Sequence, residues 1–205
     1  MIDVRHDNGL TVLTLNRPDK ANALTHDMLT ALADAAECAA LDEKSRALIL
    51  TGDGKVFSAG ADLEAAKAGL ATDPVWERLS GAVAAFPGLS IAALNGTAAG
   101  GALGMVLAAD LRVAAPSAKF FYPVMSLGFL PQPSDTLRLS ALVGPAKTKM
   151  IMVAGARMTA DQAQAIGLVD MIDEDPLAAA RSLAATVLAA EREHVVAIKS
   201  MISSD

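Results

Sequence analysis

The sequence predicts an α/β fold with parallel, well-covered sheets. Short apolar segments with the length of strands alternate with helical segments, and two short strands often precede a helix, as in chains that form parallel sheets. Two of these segments, 46–51 and 90–94, are almost wholly apolar, which is typical of strands covered on both faces. Hydrophobic residues make up 53% of the chain and charged residues only 20%, which excludes a disordered protein. This pattern alone fits a doubly wound nucleotide-binding fold equally well.

Turn and capping residues mark the element boundaries in the first part of the chain. Residues 10–15 are predicted to form a strand, and turn residues follow at 16–20. Thr25 is placed to cap a helix, and Asp62 to cap a later one. The first of these helices has an apolar stripe formed by Leu24, Met28, Leu29, Leu32 and Ala36.

The centre of the chain is rich in glycine and lacks charge. A buried helix is predicted at 101–109, and strands are predicted before it at 90–94 and after it at 111–115. No charged residue occurs between Leu79 and Ala109, yet proline and glycine residues divide this stretch into pieces too short to cross a bilayer. A membrane is therefore not predicted as a partner.

The later part of the chain is mainly helical in its pattern. Ser134 is predicted to cap a helix that Gly144 ends, and Thr159 to cap a shorter one. A strand is predicted at 168–172, and Asp175 precedes a long Ala-rich helix.

Charge and cysteine content exclude further classes of partner. The formal net charge is −6, and no cluster of Lys and Arg is dense enough to neutralise a phosphate backbone, so nucleic acid is not expected. Cys38 is the single cysteine, and the start of the chain lacks the regions of a secretory signal, which favours a cytoplasmic location.

The sequence does not contain the common motifs for cofactor binding, metal binding or an activated nucleophile. The glycines at 96–104 lack the spacing of a dinucleotide-binding fingerprint, and those at 52–55 lack that of a phosphate-binding loop. The three histidines have no partner at metal-ligand spacing, so no metal site is predicted. Ser58 does not lie in a nucleophile elbow.

Two glycine-containing loops carry the strongest functional signal. They read FSAGADL at 57–63 and NGTAAGG at 95–101, and each follows an apolar strand and leads into helical sequence. Small side chains let a ligand reach the main chain, and the first turn of a helix has N–H donors without a helical partner. Two such donors that meet at one point form an oxyanion hole, although a single loop of this kind is more often a plain tight turn.

Four segments in this order resemble the crotonase superfamily, also called the enoyl-CoA hydratase/isomerase family. Besides the two loops, they are NRP with NAL at 16–24 and AIGLVD at 165–170. The resemblance extends over most of the chain. It implies one crotonase-like domain at 1–205, with a spiral of repeated ββα units at 1–175 and a shortened C-terminal helical segment at 176–205. It also implies a homo-oligomer, either a trimer or a multiple of it.

The resemblance further implies a site for an acyl-CoA thioester, in which CoA is part of the substrate and no cofactor is needed. The main-chain N–H groups of Ala61 and Gly101 would hold the thioester oxygen and stabilise an enolate. Arg17, Lys20 and Lys55 either meet the CoA phosphates or are ordinary solvated surface. The substrate-binding residues implied are Ala23, Ala59, Ala61, Asp62, Leu63, Glu64 and Gly101.

The acids that this family uses are absent. Gly104 and Val124 occupy the positions of the two hydratase glutamates, and Gln132 occupies the acid position of many isomerases and dehalogenases. Losing an acid–base group costs about 10²–10⁴-fold in rate, so two-glutamate hydration is not predicted. Asp135 and Tyr122 are candidates to replace the missing acids. As alternatives, Asp135 complements a helix dipole and Tyr122 is a half-buried packing residue.

These observations predict a crotonase-family enzyme that stabilises a thioester enolate. Its reaction is expected to be isomerase-like or hydratase-like, without the usual glutamate pair. One alternative is a non-catalytic acyl-CoA-binding protein on the same scaffold, and another is an α/β protein unrelated to CoA.

Overall fold

A computed structural model describes residues 1–202 of the chain. Its strands are β1 (Ile2–Asp7), β2 (Leu10–Leu15), β3 (Ala47–Gly52), β4 (Val56–Ser58), β5 (Leu89–Leu94), β6 (Thr97–Ala99), β7 (Leu111–Ala114), β8 (Lys119–Phe121), β9 (Met158–Thr159) and β10 (Met171–Ile172). Its helices are α1 (His26–Leu41), α2 (Leu63–Lys67), α3 (Val75–Ala84), α4 (Ala102–Ala108), α5 (Val124–Leu127), α6 (Pro133–Met152), α7 (Ala160–Ala165), α8 (Pro176–Ala189) and α9 (Arg192–Ile202). The predicted helical segment at 176–205 extends three residues beyond the described part.

From β3 onward, successive pairs of strands place one strand in each of two sheets, whereas β1 and β2 both lie in the larger sheet. The six-stranded sheet has the order β1-β2-β3-β5-β7-β10, and the four-stranded sheet has the order β4-β6-β8-β9. Strands β3, β5 and β7 are parallel neighbours in the first sheet, while β4, β6 and β8 are parallel neighbours in the second. Helical residues follow each pair, so the predicted α/β spiral of ββα units is confirmed, and the doubly wound alternative does not apply.

The central strands β3 and β5 of the six-stranded sheet are buried on both faces, as their apolar runs predicted. On β3, Leu48 and Leu50 belong to the main core cluster, whereas Ile49 faces the opposite way into a second cluster. Helix α8 covers that second face with Ala180 and Ala184, which are fully buried. Small alanine side chains allow α8 to pack closely on the strands.

Ser134 does not cap a helix, which corrects the sequence prediction. Helix α6 begins with Pro133 after Gln132 as the N-cap, so Ser134 lies inside the first turn. The main-chain N–H and the hydroxyl of Ser134 both donate to the carboxylate of Glu77 on α3, at 3.0 Å each. Gly144 interrupts α6 with non-helical angles, as predicted, and the helix continues beyond this kink.

The structure also differs from the sequence prediction at β1 and at Leu24, where the local hydrophobic pattern is weak. Strand β1 was not predicted, because residues 4–7 are exposed on an edge strand and form no apolar run. Leu24 was expected on the stripe of α1 but precedes the helix, whose predicted cap by Thr25 is confirmed. No helix within residues 1–202 combines the length and the apolar composition of a membrane span.

A buried asparagine fixes the loop between β2 and α1. Asn22 is fully buried and has a φ of 52°. Its Nδ2 donates to the carbonyl oxygens of Asp53 and Val56, and its Oδ1 accepts from the N–H of Arg17. These bonds tie the start of the chain to the residues that precede and begin β4.

Asn22→Asp is expected to lower the free energy of unfolding by roughly 2–4 kcal/mol, because a carboxylate of the same shape cannot donate to two buried carbonyl groups. Urea denaturation monitored by circular dichroism measures the change. Asn8→Asp is the matched control, since Asn8 has a similar φ of 48° but is exposed. Equal losses in the two variants would contradict the role given to the Asn22 side chain.

Candidate active site

The segments at 57–63 (the first loop) and 95–101 (the second loop) lie side by side because β4 and β6 are parallel neighbours. Gly60 has a φ of 93°, and a Cβ atom there would lie 2.8 Å from the carbonyl oxygen of Ala99. The same atom would lie 3.5 Å from the Cα of Gly100. The two loops therefore touch through their main chains, at a distance that only glycine permits.

The first loop is also paired with the segment before α1. The N–H of Leu24 donates to the carbonyl of Gly60, and the N–H of Asp62 donates to the carbonyl of Leu24, both at 2.8 Å. Ala61 is thus the bridge partner of Leu24 while its two neighbours make the hydrogen bonds. In this arrangement the N–H of Ala61 points away from the bridge.

Arg17 and Asp62 hold the two paired segments together. One guanidinium nitrogen of Arg17 donates to Asp62 Oδ2 at 2.8 Å and to the carbonyl of Ala23 at 3.0 Å. The other oxygen of Asp62 accepts from the N–H groups of Glu64 and Ala65, which confirms its predicted capping of α2. The Arg17 hydrogen bond is the main cause that lowers the pKa of Asp62. The guanidinium group of Arg17 was a candidate contact for the CoA phosphates. One of its nitrogens is instead engaged within the fold.

A cavity of about 250 Å³, which we call the loop cavity, opens beside the first and second loops. Ala61 and Gly101 both line it. Neither of their main-chain N–H groups donates to another described residue, and Gly101 is the residue immediately before α4. Two residues with free donors, one from each loop, thus line the same cavity.

The loop cavity includes some of the predicted site residues and excludes others. The predicted residues that line it are Ala59, Ala61, Leu63, Gly101 and Tyr122. Those that do not line it are Ala23, Asp62, Glu64 and Asp135. Val124 and Gln132 also line it with neutral side chains, and none of its lining side chains within residues 1–202 is a carboxylate.

Sequence reasoning missed several residues of the cavity wall. Trp76 on α3 packs so closely on Gly101 that a Cβ atom there would lie 3.0 Å from the indole ring. The indole N–H donates to the carbonyl of Leu70 at 2.7 Å, which fixes the ring. Lys67 lines the cavity and pairs with Glu64, whereas Lys20 and Lys55 are exposed away from it. Trp76 is the single tryptophan, and that rarity was the one available signal.

Tyr122 and Asp135 form a buried pair, in which Tyr122 lines the cavity and Asp135 lies behind it. Asp135 is 0% exposed and Tyr122 is 3% exposed, so Tyr122 is more buried than the packing alternative expected. The phenol donates to Asp135 Oδ2 at 2.7 Å, while Oδ1 has no hydrogen-bond partner among the described residues. Burial raises the pKa of Asp135 to about 6, and the hydrogen bond from Tyr122 opposes this increase. Burial likewise raises the pKa of the Tyr122 phenol well above its ordinary value.

A larger groove of about 550 Å³ lies elsewhere, beside α8 and α9. It is largely apolar and includes neither loop. Its Lys199 is engaged by Asp110 and by the carbonyl groups of Phe86 and Gly88. No group of three metal-ligating side chains occurs within residues 1–202. The loop cavity is therefore the better candidate site, because two residues whose main-chain N–H groups are free line it.

Known proteins are similar to this chain in sequence and in fold. A family model described as "Enoyl-CoA hydratase/isomerase" matches residues 5–205. A Mycobacterium tuberculosis protein named "Probable enoyl-CoA hydratase EchA14" is 39% identical over 200 residues, covering 95% of this chain and 78% of that protein. The 1,2-epoxyphenylacetyl-CoA isomerase of Escherichia coli is 32% identical, covering 84% and 70%. A solved enoyl-CoA hydratase/isomerase from Pseudoalteromonas atlantica has a TM-score of 0.90 at 32% identity, covering 98% and 82%.

Asp135→Asn is expected to raise the free energy of unfolding at pH 8 by about 1–3 kcal/mol, because the neutral amide brings no charge into the interior. The folded-state pKa of about 6 lies above the ordinary 3.8, so the folded protein retains a proton that the unfolded chain loses. The stability of the native protein should therefore fall as the pH rises from about 4 to about 6, and then stay constant.

Urea denaturation between pH 4 and 8 measures both effects. The fall in stability should be smaller in Asp135→Asn. Asp161→Asn is the control, because Asp161 lies in the first turn of α7 and is exposed. An Asp135→Asn protein less stable than the native one at pH 8 would contradict the cost assigned to the buried charge.

Proposed function

Because the chain belongs to the enoyl-CoA hydratase/isomerase family of the crotonase superfamily, we propose that it binds an acyl-CoA thioester in the loop cavity and stabilises the enolate. In this proposal the N–H groups of Ala61 and Gly101 hold the thioester oxygen. CoA is part of the substrate, and no separate cofactor takes part. The other residues proposed to border the CoA are Ala23, Ala59, Asp62, Leu63 and Glu64.

The observation that carries this proposal is the pair of free N–H donors on one cavity wall. Main-chain donors fixed by a sheet bridge and by a helix start need no rearrangement when charge develops on an oxygen. Each donor of this kind contributes roughly 2.7–4 kcal/mol to a transition state that develops an oxyanion. Removing a proton α to a thioester creates such an oxygen, so the site suits enolate chemistry.

The rest of the cavity wall supports an acyl substrate. Leu127, Phe129 and Leu130 line it together with Val124. An apolar wall suits a hydrocarbon chain, since its burial is favourable by about 0.8 kcal/mol per CH₂. Lys67, which is 74% exposed and pairs with Glu64, is the cation among the residues that line the cavity. A cation there suits a ligand that carries phosphate groups.

Double-bond isomerisation fits this wall better than hydration. Hydration of an enoyl ester needs a positioned water and proton transfer at two carbons, whereas isomerisation moves one proton along the chain. Val124 and Gln132 provide no acid or base where the resemblance would place one. We therefore assign an isomerase-like step to the site.

A non-catalytic acyl-CoA-binding protein is the second candidate, and one observation favours it. No carboxylate among the described residues lines the loop cavity, so no acidic side chain there can act as the base that removes a proton directly. Binding without exchange of the α-proton would identify this case. The homo-oligomer, the trimeric state and the cytoplasmic location remain predictions of the sequence.

The oxyanion hole is tested by the infrared frequency of a ¹³C-labelled carbonyl in bound butyryl-CoA. Binding is expected to shift the carbonyl stretch to lower frequency, because two N–H donors polarise the bond. Ala61→Pro removes one donor that makes no bond in the fold, so the shift should shrink. Isomerisation of a 3-enoyl-CoA should fall about 10²–10³-fold in the same variant.

S-butyl-CoA, a thioether without the carbonyl oxygen, is the matched control ligand. Its affinity should change little in Ala61→Pro, whereas affinity for the ester should fall. Equal losses for both ligands would show that the first loop has deformed. A full carbonyl shift in Ala61→Pro would contradict the role given to this N–H group.

A further inference from the structure

We infer that Tyr122 and Asp135 act together as the proton-transfer pair of the loop cavity, with Tyr122 contacting the acyl chain and Asp135 acting through it as a positioning residue. This inference rests on the proposed function, because it assigns the proton that the enolate step moves. It is carried by three independent features, namely a buried carboxylate, a missing Cβ atom and a hydrogen bond toward the cavity.

The first feature is a carboxylate that packing alone does not explain. Asp135 is fully buried, and only its Oδ2 has a hydrogen-bond partner among the described residues. Burying a carboxylate with an unpaired oxygen is costly, and buried polar atoms are nearly always paired. A first-turn aspartate that only complements the helix dipole would do so equally well at the surface, as Asp161 does on α7.

The second feature is the space that this carboxylate occupies. A Cβ atom at Gly104 on α4 would lie 2.9 Å from Asp135 Oδ1 and 3.3 Å from Oδ2. Glycine inside a helix costs about 1 kcal/mol relative to alanine. At position 104, glycine leaves room for the carboxylate of Asp135, which lies on α6. The volume that a side chain at 104 would fill therefore contains an acid after all.

The third feature connects Asp135 with the substrate cavity. Asp135 does not line the cavity, but Tyr122 does, and its phenol donates to Asp135 Oδ2 at 2.7 Å. Gln132, which also lines the cavity, has a neutral side chain. Tyr122 is therefore the polar residue through which the buried carboxylate reaches the cavity.

The proton moves in two coupled transfers. Asp135 begins as a carboxylate and Tyr122 as a phenol. The α C–H bond breaks as the phenol oxygen takes the proton, while the phenol proton passes to Asp135 Oδ2. The electron pair of the C–H bond forms the enolate, whose oxygen rests on Ala61 and Gly101. In a 3-enoyl ester, return of the proton to the γ-carbon shifts the double bond with no net change in protons or electrons.

The charges around the pair suit these roles. Besides Tyr122, the charged groups that act on Asp135 are Glu77 on α3, which raises its pKa, and Arg138 on α6, which lowers it. The adjacent face of α4 presents Gly104 and no charge. With a pKa of about 6, Asp135 is ionised at neutral pH, while the raised pKa of Tyr122 keeps the phenol protonated. Exchange of the α-proton should therefore slow as the pH falls through about 6.

The test follows exchange of the α-proton of butyryl-CoA in deuterated buffer by mass spectrometry, because a saturated ester neither isomerises nor hydrates. Tyr122→Phe and Asp135→Asn are each expected to slow exchange about 10²–10⁴-fold. The carbonyl infrared shift of the bound ester should remain, since both N–H donors are intact. Asp161→Asn, the exposed match on α7, should leave the exchange rate and its pH profile unchanged.

A variant that carries the acid on α4 instead of α6 distinguishes a chemical role of Asp135 from a structural one. Gly104→Glu combined with Asp135→Gly returns a carboxyl group to the same region from α4. Exchange in this double variant should exceed that in Asp135→Gly alone by about tenfold or more. A purely structural Asp135 predicts instead that the folded Asp135→Gly protein exchanges at the native rate, so that no loss is left to recover.

The possible results separate this inference from the function on which it rests. Exchange within about threefold of the native rate in Tyr122→Phe and Asp135→Asn, with an unchanged pH profile, overturns the inference. A native protein that binds the ester and shifts its carbonyl stretch but exchanges no proton also overturns it, while the binding proposal stands. A native protein that neither binds the ester nor shifts the stretch overturns the proposed function itself.

Discussion

The close contact of two main-chain loops is the constraint on which the site depends. The parallel pair β4 and β6 brings the loops together, and at Gly60 no room remains for even a single side-chain carbon. In this arrangement the N–H groups of Ala61 and Gly101 have no hydrogen-bond partner among the described residues. Ala61 is the bridge partner of Leu24, and Gly101 immediately precedes α4. The donors thus arise from the architecture, and side chains there matter mainly through their small size.

Behind this site, the fold keeps an acid in an unfavourable place. A buried carboxylate with an unpaired oxygen lowers the stability of the native state, yet it lies one hydrogen bond from the loop cavity. Titratable groups with strongly perturbed pKa values cluster at functional sites more often than elsewhere. The pair formed by Tyr122 and Asp135 has this character.

Local sequence patterns predicted much of the fold, and five of the candidate residues named from the sequence line the loop cavity. Apolar runs located β3 and β5, and the caps at Thr25 and Asp62 were correct because their hydrogen bonds are local. Ser134 was misassigned because Glu77, a distant residue, captures its hydroxyl and N–H. The contact between Asp135 and Gly104 was equally hidden, since a glycine in a sequence shows only that a side chain is absent and not what fills its place.

That contact constrains the order in which mutations can accumulate. Because a Cβ atom at position 104 would lie 2.9 Å from Asp135 Oδ1, even alanine there requires the carboxylate of Asp135 to shift. Because the two residues are in contact, the effects of substitutions at 104 and 135 on stability should not add, and a larger residue at 104 should be tolerated best once Asp135 has been replaced by a smaller one.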